Sequence, residues 1–233
     1  MEHPDTINAM ANLAITYHYL RKYAEAEKLE IQVLDASNRI LGVEHLDTIN
    51  AMANLAGTYR DLGKYTEAEK LEIQVLDAWN RILGGEHPDT MRAMANLAGT
   101  YRDLGKYTKA QKLEIQVLDA RNRILGVEHP DTINAMAHLS ATSRALGKYT
   151  EAETLDIQVL DARNSILGVE HPETIRAMGY LAVTYKCLGK YIEAVKLNNQ
   201  VLNAWNRLLG VEHPDTINAM KSLASIYLYM GNT

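Results

Sequence analysis

His3, His45, His87, His129, His171 and His213 recur at a fixed interval of 42 residues, and no other feature constrains this chain as strongly. A constant period of about 20 to 50 residues marks stacked supersecondary units, each of which buries its apolar side only against its neighbours. The unit reads most clearly over residues 45–86, HLDTINAMANLAGTYRDLGKYTEAEKLEIQVLDAWNRILGGE. Its copies occupy 3–44, 45–86, 87–128, 129–170 and 171–212, and a half repeat follows over 213–233. The expectation is one array spanning 1–233 whose end units fray first.

Within the unit, Ile49, Met52, Leu55, Ala56, Tyr59 and Leu62 recur at spacings of three and four, which is one face of an α-helix. This helix A starts at HPDT or HPET in most units, where Pro4 suits a first turn and Asp5 offers a side-chain acceptor to its free amides. Leu46 replaces the proline in the second unit. Gly63 breaks the pattern and is free to take the left-handed conformation that closes a helix. A second stripe, Ala68, Leu71, Val75, Ala78 and Ile82, predicts helix B, ending at Gly84 and Gly85. So short a break makes A and B an antiparallel hairpin. Met10, Met52, Met94, Met136, Met178 and Met220 fall on the apolar stripe and are expected in the core. Ser140 and Ser143 stand where the second and third units carry Ala and Tyr, which predicts looser packing in the fourth. The fifth departs most on helix A, with Gly179, Tyr180, Val183 and Lys186.

Several function classes drop out. No apolar run approaches the ~18 residues of a membrane span, and Met1-Glu2-His3 shows no secretory signal. The lone Cys187 excludes a disulfide framework and points to a reducing, cytoplasmic location. A formal net charge of −5 argues against nucleic acid as the main partner. The nearest phosphate-loop lookalike, from Gly57 to Thr66, has the wrong spacing, repeats with the unit and lies inside a helical hairpin. The six repeating histidines lie one hairpin apart, whereas zinc needs ligands converging on one point. No nucleophile with a base and no cofactor fingerprint can be argued, so neither catalysis nor a cofactor is expected.

The sequence Met52-x-x-Leu55-Ala56-x-x-Tyr59, continued by Gly63-x-Tyr65-x-x-Ala68, resembles the tetratricopeptide repeat. The 42-residue period, with ANLAGTYRDLGKYTEAEKL and ILGxEHPDT, looks most like the repeats of kinesin light chains and of the sensor arms of nucleotide-binding signalling ATPases. The resemblance implies an all-α, right-handed superhelical solenoid of antiparallel helix hairpins whose helices A line a concave, protein-binding groove. Where such repeats carry a bulky aromatic on helix B, this chain has Glu30, Glu72, Glu114, Asp156 and Asn198, an edge expected to be solvated.

On that resemblance, three ladders of helix A become candidate binding residues. Asn12, Asn54, Asn96, His138, Tyr180 and Ser222 form one; an asparagine amide both donates to and accepts from a peptide backbone. Asn8, Asn50, Arg92, Asn134, Arg176 and Asn218 form another. The third is Arg60, Arg102, Arg144 and Lys186. Seven cations on these faces, Lys221 included, against Asp61 and Asp103 leave a net +5, which would draw an acidic segment. The bland alternative pairs Arg60 and Arg102 with Asp61 and Asp103. Trp79 and Trp205 share a helix B position with Ser37, Arg121 and Arg163, and such tolerance reads as an exposed edge. The expected function is non-catalytic binding of an extended, acidic protein segment. The alternative is a ligand-sensing or self-assembling arm of a larger signalling ATPase, associating through terminal helices and the Trp edges. The half repeat fits either a lid over the last helix B or a continuing array.

Overall fold

The computed structural model describes residues 3–231; the readings made on Met1-Glu2 and on Asn232-Thr233 lie outside it. Every described element is a helix: α1 (Pro4–Tyr19), α2 (Tyr23–Leu41), α3 (Leu46–Asp61), α4 (Tyr65–Leu83), α5 (Pro88–Asp103), α6 (Tyr107–Leu125), α7 (Pro130–Ala145), α8 (Tyr149–Leu167), α9 (Pro172–Cys187), α10 (Tyr191–Leu209) and α11 (Pro214–Gly231). Odd-numbered helices are helix A of each repeat and even-numbered ones helix B. Two compact units emerge, one ending at Val117 and one beginning at Leu118. In the first, α1 packs on α2, α2 on α3, α3 on α4 and α4 on α5. In the second, α7 packs on α8, α8 on α9, α9 on α10 and α10 on α11.

Each helix A starts through its histidine. The Nδ1 of His45 accepts the Asp47 amide at 3.2 Å, and His3, His87, His129, His171 and His213 do the same two residues downstream. The expected acceptor was the aspartate side chain; the imidazole takes the role because it sits at the N-cap in extended backbone. Leu46 therefore starts its helix as well as proline does. Helix A closes at Gly63, whose φ of 72° lets the Lys64 amide reach back to the Tyr59 carbonyl at 2.8 Å. In the first repeat Arg21 holds this same position at φ 56°, in the left-handed region that favours glycine.

The helix A stripe packs as its spacing predicts: Ile49, Met52, Leu55 and Ala56 are buried. On helix B the buried stripe is rotated from the expected one. Ala68, Val75 and Ala78 are inside, but Ile82 is 42% exposed, and Glu72 and Trp79 are buried instead. Trp79 packs with Ile49, Met52, Val75 and Ala93, and Trp205 with Ile175, Val201 and Ala219, so these indoles are core rather than exposed contact points. Met220, expected inside, is 41% exposed. The fourth repeat is not loosened by its serines. Ser140 and Ser143 are fully buried, and the Ser140 hydroxyl donates to the Asp156 carboxylate at 2.5 Å.

Candidate functional site

Two of the three ladders stay on the solvent side of helix A. Asn12, Asn54 and Asn96 are exposed in the first unit, as are His138 and Tyr180 in the second, while Ser222 is half-buried. Four residues earlier on the same face, Asn8, Asn50 and Arg92 are exposed in the first unit and Asn134, Arg176 and Asn218 in the second. A spacing of four puts the two rows side by side on each helix. In the first unit the result is a surface mostly of carboxamides, each able to donate and accept at once, with Arg92 among them; in the second Asn134 and Asn218 share the face with His138, Arg176 and Tyr180.

The third ladder points elsewhere. Arg102 Nη1 donates to Glu114 Oε1 at 2.6 Å, and Arg144 Nη1 to Asp156 Oδ2 at 2.7 Å. Arg60 Nη1 lies 4.0 Å from Glu72. Its guanidinium leans over Gly99, where a Cβ would come within 2.9 Å of Nη2. The acids are not solvated, as expected from the sequence, but buried: Glu72 is 5% exposed, Glu114 4% and Asp156 4%. For Glu114 and Asp156 the physical reason is the arginine, since a buried carboxylate persists where a charged, hydrogen-bonding partner replaces its water; Glu72 has its arginine only at 4.0 Å. The arrangement changes with the pair. In the fifth repeat Asn198 replaces the acid and donates to the Ala219 carbonyl at 3.1 Å, and Lys186 turns to the Ser225 hydroxyl at 3.3 Å and the Tyr229 ring. In the first repeat His18, at the arginine position, bonds Asp61 of the next at 2.7 Å.

These acids correct the expected electrostatics. Glu72, Glu114 and Asp156 face the ladder arginines, while Asp89 sits 2.8 Å from Arg92 and Glu173 2.6 Å from Arg176. Five acidic side chains thus face the cations counted on these faces and offset most of the +5. Burial pushes the Glu72 carboxyl up to about 7, outweighing the Thr100 hydroxyl and the Arg60 guanidinium, and Asp103 and Glu69 act in the same upward direction. Glu30 is raised for the same first reason, offset by Thr58 and His18.

A recurring cleft completes the surface, and the sequence did not reveal it. Its floor is the helix B position held by Ser37, Arg163 and Trp205, and its rim is formed by helix A of the same repeat and of the next. In the fourth repeat a cleft of about 220 Å³ is lined by Ile133, Asn134, Arg163, Ile166, Leu167 and Glu173. Arg163 fills its floor, donating to Asn134 Oδ1 at 3.1 Å and to the Glu173 carbonyl at 3.1 Å. The matching cleft of the first repeat, about 230 Å³, has Ser37 at its floor. A third, about 280 Å³, lies between α9 and α11 and includes Arg176, Gly179, Tyr180 and Asn218. Acceptance of Ser, Trp and Arg at one position looked like surface, yet it reflects a cleft open at one end that side chains of different size fill from below.

Among the described residues no group of His, Cys, Asp and Glu could hold a metal ion, and no helix is long and apolar enough to cross a membrane. The family model for the tetratricopeptide repeat matches residues 5–78, 47–123, 91–146, 131–205 and 180–233. Among solved structures, the chain is 29% identical to a Podosopora anserina protein provisionally assigned as a kinesin light chain with nearly identical TPR-like repeats; the match covers 90% of this chain and 99% of that one, with a TM-score of 0.79. BtubC from P. vanneervenii shares the fold at 16% identity and a TM-score of 0.74, over 90% of this chain and 83% of that one. A signal transduction ATPase with numerous domains and a tetratricopeptide repeat sensor, from Pyrococcus horikoshii, matches at 15% identity and a TM-score of 0.74, over 97% of this chain and 34% of that one. A search of the curated proteins found no match.

Proposed function

The chain belongs to the tetratricopeptide repeat family, and we propose that it is a non-catalytic, cytoplasmic interaction scaffold that binds an extended segment of a partner protein on the exposed face of helix A. The observation that carries this reading is the double row of exposed polar side chains in each unit taken by itself: Asn8 and Asn12 through Asn50, Asn54, Arg92 and Asn96 in the first, and Asn134, His138, Arg176 and Tyr180 in the second. Carboxamides at this spacing pair with the peptide groups of an extended chain without demanding particular side chains. Acidic side chains of the partner fall to Arg92 and Arg176. Both are exposed and held by surface pairs that are worth little and exchange readily, one helical turn away in each case and, for Arg176, also at 4.0 Å to Asp215 of α11. Arg60, Arg102 and Arg144, with Lys186, act from behind this surface and fix the angle between helices. Selection of binders from a displayed random-peptide library, followed by Asn54→Ala and Asn96→Ala, tests the reading.

A second reading has its own support. Leu13 and Ile15 on α1, Leu20 at its C-cap, and Met220 and Leu228 on α11 are exposed apolar residues that suit a self-associating or sensor arm. Light scattering over a range of concentrations separates the two, because a concentration-independent monomer removes self-association.

A further inference from the structure

The helix B position at the cleft floor carries a guanidinium in two repeats of the second unit. Arg121 donates to the Asp131 carbonyl at 2.9 Å. Arg163 takes the Asn134 carboxamide, the Glu173 carbonyl and, at 3.3 Å, the Glu173 carboxylate. Three repeats upstream of the groups around Arg163, the first cleft offers matching receptors. Asn8 corresponds to Asn134, Asp47 to Glu173, and Ile7, Ile40 and Leu41 to the apolar walls Ile133, Ile166 and Leu167. At the floor Ser37 supplies only a hydroxymethyl group, on the rim Asp47 is one methylene shorter than Glu173, and the cleft measures about 230 Å³.

Charge decides which guest suits that space. In other repeats an arginine already attends the acid at this rim position: Arg92 beside Asp89, Arg176 beside Glu173 above the Arg163 floor, and Arg176 within 4.0 Å of Asp215 above Trp205. Above Ser37 the positions of those arginines are Asn50 and Asn8, and the ring nitrogen near the Asp47 carboxylate is His45 Nδ1 at 3.6 Å, which accepts the Asp47 amide. An apolar-walled cleft with a carboxylate and a carboxamide on its rim favours a planar cation with several N–H donors over an ammonium or a neutral ring.

We propose that the cleft above Ser37 is a binding site for a guanidinium group, and that its occupant is an arginine side chain of the segment bound on helix A. The source of that arginine rests on the function proposed above; the site itself rests on the chain's own Arg163. Both are tested on the whole chain by titrating N-acetyl-L-arginine methylamide and following the amide resonances of Asn8, Asp47 and Ala51. Saturable binding is expected, weakened at least about tenfold by Asp47→Asn. Ser37→Arg, which copies the fourth repeat, is expected to raise the thermal midpoint and abolish binding. The lysine and tryptophan methylamides are expected to bind at least about tenfold more weakly. Unchanged affinity in Asp47→Asn or in Ser37→Arg overturns the site, and tighter binding of the tryptophan analogue assigns the cleft to an indole instead. Library peptides that bind through Asn54 and Asn96 yet lose nothing in Ser37→Arg would sink the arginine pocket and leave the scaffold function standing.

Discussion

Arg144 of α7 meets Asp156 of α8 at 2.7 Å, and the Thr184 hydroxyl of α9 donates to the same carboxylate oxygen at 2.5 Å. One buried acid therefore ties both helices of a repeat to the next repeat. Arg144→Ala leaves that carboxylate without its counter-ion and is expected to lower stability by about 3 to 5 kcal/mol in urea unfolding. Asp156→Asn removes the charge as well as the bond and costs less, so the double variant recovers part of the loss. A loss in the single variant no larger than that of an exposed salt bridge, under about 1 kcal/mol, contradicts this role.

Glu72 makes the first unit sensitive to pH. Its carboxyl is raised from the ordinary 4.5 to about 7 by burial, in the presence of Arg60, Asp103 and Glu69. Between those values the folded chain binds more protons than the unfolded one, so stability is highest at the acid end and declines as pH rises through about 7. Glu72→Gln is expected to flatten that slope and to gain about 2 kcal/mol at pH 8. Thermal midpoints at pH 5 and pH 8 check it. An unchanged slope in Glu72→Gln contradicts the assignment.

Arg21 carries backbone strain that the other repeats avoid with glycine. At φ 56° its Cβ crowds the following carbonyl, while Gly63 in the next repeat holds φ 72° with no Cβ to crowd. Arg21→Gly relieves about 1 to 2 kcal/mol of strain against a smaller entropic loss in the unfolded chain. The expected net is a gain of up to about 1 kcal/mol. Gly63→Arg is expected to lose a comparable amount by the same assay, and opposite signs would refute the strain argument.

The period and the hairpins were legible because duplication repeats every apolar spacing five times. The exposure of Asn54 and Asn96 followed from the same helical phase. What did not follow was anything set by a neighbouring repeat. Glu72 sits one residue beyond Leu71 on helix B and looks solvated until Arg60, twelve residues earlier, and Thr100, twenty-eight later, are seen around it. Arginine and acid at that twelve-residue interval in three successive repeats was the available sign, and the Lys186 and Asn198 pair was its complement. The cleft floor was hidden for a different reason. Variation from Ser37 to Trp79 to Arg163 ordinarily means exposure, but here it means a notch whose depth the side chain sets.

The central claim is that the carboxamide rows on helix A bind a partner segment while the arginines behind them hold the fold. It is tested most directly by measuring the affinity of a library-selected peptide for the whole chain and for its Asn54→Ala/Asn96→Ala variant. The account predicts a loss of at least about tenfold with an unchanged thermal midpoint. Unchanged affinity in that variant would contradict it.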